Sequence, residues 1–291
     1  MSEFSLPDGK RLALSIVINV EEGSEMNIVD GDKLPEPVDE LGVALKIPIR
    51  NYVNESNYQY GIRAGGPRVM KLLEKYAAKT TVTAAAVALE RAPQLAAQIK
   101  RQGHEVCSHG WRWVHQFSYK EEREREFIRK ATDSIEGTIG TRPFGWLSRY
   151  LHTDQTRRLL LEEGYTYHMD DMSDDIPRWE PVQMIDGSTQ ALVCMPYAID
   201  TNDMKFWVAP AYTPAQWLDY VRRSVDWLLE ESKEGPRMLN VGLHLRIIGR
   251  PGRMWALEEF LQYVSGISEI WITSRKEIAD RFAQQCPWSA G

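Results

Sequence analysis

The chain has few cysteines, no long apolar run and no surplus of positive charge, and each shortage removes a class of protein. Cys107, Cys194 and Cys286 are the only cysteines in 291 residues. They are too few and too scattered for a disulfide framework or a zinc cluster, and read as reduced thiols, two of them in strands. No stretch approaches the roughly 20 apolar residues of a membrane span. Met1-Ser2-Glu3-Phe4 shows no charged leader followed by an apolar core, so no membrane partner and a cytoplasmic location are expected. A formal charge of −6 argues against nucleic acid as a partner. Also missing are the P-loop, the dinucleotide fingerprint, the Gly-x-Ser-x-Gly elbow and Cys/His zinc spacing, which sets nucleotide and serine-hydrolase chemistry aside.

What is present begins with aromatics: ten Trp and twelve Tyr, more than a core of this size needs. They suit the walls of a small-molecule site or an oligomer interface. The most informative segment is the apolar run from Leu12 to Val20, which reads as a strand buried on both faces. Glu21-Glu22-Gly23 follows it at once. Two adjacent carboxylates at a strand mouth repel and are costly to desolvate. A solvated turn would account for the pair taken alone, but polar groups recur in the same kind of place further along.

Residues 24–60, rich in Pro and Asn, form a long insertion, and an insertion of that length is more often functional than inert. Beyond it, helices are expected over 66–78, 93–102, 119–137, 153–163, 213–233, 254–264 and 275–284. Strands are expected over 81–87, 104–108, 144–147, 165–169, 191–196, 238–245 and 269–273. With the first strand this makes about eight strand–loop–helix units, the count of a (β/α) barrel in one domain over 1–291. A doubly wound sheet would place a Gly-rich loop where Glu-Glu stands. In a barrel, active residues sit at the C-terminal ends of strands, and Glu21, Glu22, His109, Arg149, Asp170 and His244 all fall there. His104, His115, His152 and His168 have no such context and read as structural. The turn Asp200-Thr201-Asn202-Asp203 follows a strand but offers no role by itself.

The motifs resemble the polysaccharide deacetylase superfamily. Strand-Glu-Glu-Gly, Gly-His-Glu-Val-Cys-Ser-His-Gly, Thr-Arg-Pro-Phe-Gly-Trp and the late strand with His244 occur in that family's order. The resemblance implies a distorted (β/α) barrel of seven or eight strands, with the base at Glu21, a metal carboxylate at Glu22 and the first metal histidine at His109. The second metal histidine belongs at position 113, where this chain has Trp113. A bound metal would therefore rest on Glu22 and His109 alone, so no cofactor is expected beyond a weakly held divalent ion such as zinc.

Within the superfamily the chain is most similar to the allantoinase-like and cyclic imidase-like subgroup, through His-Gly-Trp-Arg-Trp, Asp-Thr-Asn-Asp-Met-Lys-Phe and Gly-Leu-His-Leu-Arg-Ile-Ile-Gly-Arg-Pro-Gly-Arg. That implies hydrolysis of a C–N bond in a small cyclic amide, imide or ureide, and a homotetramer. In the expected mechanism Glu21, alone or sharing a proton with Glu22, activates a water. His109 orients the water or stabilises the oxyanion, and His244 protonates the leaving nitrogen. Arg149 anchors a carbonyl or ureide, while Trp111, Trp113 and Trp146 wall the substrate. A metal-dependent N-deacetylase of an N-acetyl sugar and a non-catalytic ligand-binding barrel are the alternatives.

Overall fold

The computed structural model describes residues 4–289. Met1–Glu3, part of the leader argument, lie outside the described residues. Strand β1 (Leu12–Val20) is buried at all nine positions. It pairs in parallel with β2 (Thr80–Ala84) and along its other edge with β8 (Arg237–His244), while β9 (Ile270–Ile272) pairs with its first residues. The strand order is β6-β7-β5-β4-β3-β2-β1-β8. Here β3 is Glu105–Ser108, β4 Gly145–Trp146, β5 Tyr167–His168, β6 Arg178–Gln183 and β7 Thr189–Cys194. The path ends in β6 on one side and β8 on the other, so the sheet is a curled half-barrel. The strand β6, antiparallel to β7, is one the sequence did not indicate.

Alternation along β1 splits the core in two. Leu12, Leu14, Ile16, Ile18 and Val20 join one large cluster with the helices, whereas Ala13 and Val17 join Tyr167, Met169 and Val193 in a second. At the level of Ser15 the interior holds a fully buried arginine, Arg275, whose guanidinium donates to the Met195 carbonyl at 2.6 Å. The helices carry ordinary end signals. The helix Pro214–Glu231 opens with a Thr213/Gln216 capping box and the helix Arg275–Gln285 with a Ser274/Glu277 box. Among the described residues no helix is long and apolar enough to cross a membrane.

Two local expectations fail for physical reasons. The strand expected over 81–87 stops at Ala84, and α3 (Ala86–Arg91) begins, because the amides of Ala86 and Val87 bond to the carbonyls of Gly110 and Trp111 instead of a ladder. The insertion is not irregular throughout. Helix α1 (Tyr52–Tyr60), capped by Asn51, runs through a π-turn at Gly61–Gly65 into α2 (Gly66–Lys75). Its sequence, Tyr-Val-Asn-Glu-Ser-Asn-Tyr-Gln-Tyr, has no apolar stripe. The helix is held by burial of Asn54 and Tyr58 under the rest of the insertion.

Candidate active site

Parallel register brings the strand mouths together. Asn19 of β1 lies opposite Thr83 of β2 and His244 of β8, so Glu21, two residues on, meets the side chains leaving the neighbouring strands. Glu21 Oε1 is 3.4 Å from His244 Nε2 and 3.6 Å from His109 Nε2. Its other oxygen accepts from Arg246 Nη1 at 2.9 Å. Glu22 is held differently: its two oxygens accept from the amides of Glu21 (3.2 Å) and Arg246 (3.1 Å). Gly61 lies so close that a Cβ there would overlap the Glu22 carboxylate. Exposure is 2% for Glu21, 1% for Glu22, 6% for His109, 4% for His244 and 1% for Arg246, so all five side chains are buried.

The environment separates the two carboxyls. Burial pushes Glu21 up, but the positive charges of His244 and Arg246 outweigh it and hold Glu21 well below the usual carboxylate range. Burial dominates at Glu22, with Glu21 adding to it, and its pKa is raised despite Arg246. Adjacent acids thus divide into one ionised and one inclined to keep its proton. His244 resists burial because it lies between two carboxylates, Glu21 and Asp203, which push it up to about 10. Its Nδ1–H donates to Asp203 Oδ1 at 2.7 Å. The other Asp203 oxygen takes the amides of His244 (2.8 Å) and Ile248 (3.1 Å), which fixes the ring's direction.

His109 is constrained from both ends. Nδ1 is 2.6 Å from the Leu147 carbonyl, which only accepts, so Nδ1 carries the hydrogen and Nε2 is an acceptor. The Trp113 indole N–H donates to that Nε2 at 3.0 Å. In that tautomer Nε2 offers no hydrogen to an oxyanion, and its lone pair is met by the indole.

The same contact decides the fit of the metal that the fold family implies. A ligating imidazole needs its lone pair free, and here Trp113 occupies it. Glu22 is engaged by two backbone amides with the Arg246 guanidinium 3.7 Å away. These residues do not fit a catalytic zinc, which requires three protein donors and an open position.

Other expected site residues are placed elsewhere. Trp146 is buried in a separate cluster, edge-on to Phe127 and Tyr165, because strand alternation turns it away from the sheet's inner side. Trp111 follows Gly110, whose φ of 87° turns the chain, and lines a distinct hollow of about 530 Å³ with Arg112, His115 and Phe117. Asp170, just past β5, accepts from the Ser148 amide just past β4 (2.6 Å) and from Arg157 of the helix Thr156–Glu162 (3.1 Å). Arg149 borders the cluster, stacked 3.7 Å over Trp113, but Glu36 of the insertion already engages it. Three participants had no role assigned from the sequence: Asp203 within the Asp-Thr-Asn-Asp-Met-Lys-Phe motif, Arg246 after the β8 histidine, and Tyr58, whose ring lies 4.2 Å from the Arg246 guanidinium.

Fold and site together define a half-barrel with a carboxylate–histidine centre at its strand mouths. The polysaccharide deacetylase profile matches residues 56–168. The crystal structure of a probable polysaccharide deacetylase from Pseudomonas aeruginosa PAO1 superposes with a TM-score of 0.91 at 37% identity, covering 98% of this chain and 95% of that one. PuuE allantoinase gives the same TM-score and identity, with 98% and 94% covered. A Schizosaccharomyces pombe protein named for the same family is 30% identical over 301 residues, 98% of this chain and 94% of its own. The chain belongs to the polysaccharide deacetylase family.

Proposed function

We propose that the protein is an amidohydrolase that opens a small cyclic amide, imide or ureide at a C–N bond outside peptides. The observation that carries this reading is the Trp113 indole on His109 Nε2: the metal cradle is filled by the chain itself, while an ionised carboxylate and a protonated histidine remain face to face. The 37% likeness to PuuE allantoinase supports the same substrate class.

In this mechanism Glu21 removes a proton from water as its oxygen bonds to the ring carbonyl carbon. The C–N bond then breaks, and the nitrogen takes the proton from His244 Nε2. Because Glu21 and His244 are 3.4 Å apart, the proton gained by Glu21 passes to His244 and restores both. The Trp113 and Tyr58 rings stack on the guanidiniums of Arg149 and Arg246 beside these groups, at 3.7 and 4.2 Å. Assembly as a homo-oligomer belongs to the reading.

Glu21→Gln is expected to lower kcat by at least a thousandfold with the fold intact, in an assay of hydantoins, succinimides and allantoin for new carboxylate. Chelation of divalent ions should leave wild-type turnover intact. Near-normal turnover in Glu21→Gln sinks the mechanism. Chelator-sensitive release of acetate from an N-acetyl sugar would select the metal-dependent deacetylase instead.

A further inference from the structure

Two buried arginines border the catalytic cluster, and each is already paired with a glutamate of the insertion. Arg149 donates from both terminal nitrogens to Glu36, at 2.9 and 2.5 Å, and from one of them to the Trp113 carbonyl at 2.6 Å. Arg246 donates from Nε to Glu40 at 2.7 Å and from Nη1 to Glu21 at 2.9 Å. Side-chain exposure is 1% for Arg149 and Arg246, 2% for Glu36 and 13% for Glu40. Glu40 is itself held by Asn57 of α1, which accepts in turn from Arg250. The remaining arginines of the late segment stack on rings away from the catalytic carboxylates, Arg250 on Tyr60 at 3.6 Å and Arg253 on Phe206 at 4.7 Å.

A guanidinium facing a dry site without a counter-charge attracts any carboxylate that enters. In this chain that attraction is cancelled from within: Glu36 of the insertion takes Arg149, and Glu40 of the insertion shares Arg246 with Glu21 of the barrel. We infer that Glu36 and Glu40 are specificity-determining residues: they make the site select an uncharged ring and reject a ring amide that bears a carboxylate. The inference rests on the amidohydrolase reading and names the charge class of its substrate. It also accounts for release, because ring opening creates a carboxylate that meets ionised Glu21 and finds both arginines taken.

The test uses the whole chain with matched neutral and carboxylate-bearing pairs of hydantoins and succinimides, read by calorimetric binding and by turnover. Wild type is expected to favour the neutral member of a pair at least tenfold in kcat/KM. Glu36→Gln and Glu40→Gln each keep an acceptor against the arginine but remove the charge. Each should shrink that ratio at least tenfold, chiefly through a lower KM for the anionic ring. If Glu36→Gln does not fold, the wild-type ratio and Glu40→Gln, with its partly exposed side chain, carry the test. Equal use of both members by wild type, or an unchanged ratio in Glu40→Gln, overturns the charge inference and leaves the amidohydrolase reading standing. Failure of wild type to bind or open any ring overturns both.

Discussion

Trp113 stands four residues after His109, at the spacing where a second imidazole would complete a metal triad, and its N–H takes the lone pair that a metal would use. In the proposed mechanism the chemistry falls to charges set by neighbours, with Glu21 depressed and His244 raised to about 10. Activity needs the first ionised and the second protonated, so kcat/KM should stay level from about pH 5 to 9 and fall near pH 10. Removing the Asp203 charge takes away one of the two carboxylates that raise His244. In Asp203→Asn the basic limb should move to lower pH and kcat should drop about ten- to a thousandfold; a pH–rate profile checks both, and an unmoved limb would show that Asp203 does not tune His244. Glu21 and His244 were legible because strand mouths can be counted. Asp203 was visible as a turn and motif residue but not as the partner of His244, which lies 41 positions away with no local pattern to link them.

At the scale of elements, the insertion decides what the site looks like. Loop 24–50 supplies Glu36 and Glu40, α1 supplies Tyr58 and Asn57, and the π-turn brings Gly61 against Glu22. Gly61 has no left-handed backbone to excuse it; it is required by the approach. Gly61→Ala would improve helix propensity, yet its Cβ collides with the Glu22 carboxylate. The expected result is at least a tenfold loss of kcat together with about 1–3 kcal/mol of destabilisation, the usual cost of overpacking. Activity and thermal melting measure the two, and a variant as active and stable as wild type would mean that Glu22 has room to move. Sequence patterning located the insertion but not α1, because a polar helix has no stripe to read. It is stabilised by the surface it covers.

At the scale of the molecule, the insertion also leaves Leu41, Val43, Ile47, Ile49, Tyr52 and Val53 at least half exposed. Isolated monomers seldom present so many apolar side chains along one segment. If that face joins copies of the chain, sedimentation should give a mass above 33.5 kDa, and Ile47→Lys with Ile49→Lys should shift it toward the monomer. A wild-type monomer at micromolar concentration would refute the assembly. The sheet was far easier to foresee than this surface. Continuous apolar runs flanked by turn residues specify β1 and β8 locally, and strand mouths follow from them, so the half-barrel and most of its acid–base pair were determined by the sequence itself. Only the tertiary structure decided that Trp113 blocks His109, that Trp146 and Trp111 lie elsewhere, and that Glu36 and Glu40 neutralise the arginines. Propensity and periodicity act between neighbours along the chain. Hydrogen-bond direction and charge cancellation act between groups that only folding brings within 3 Å of one another.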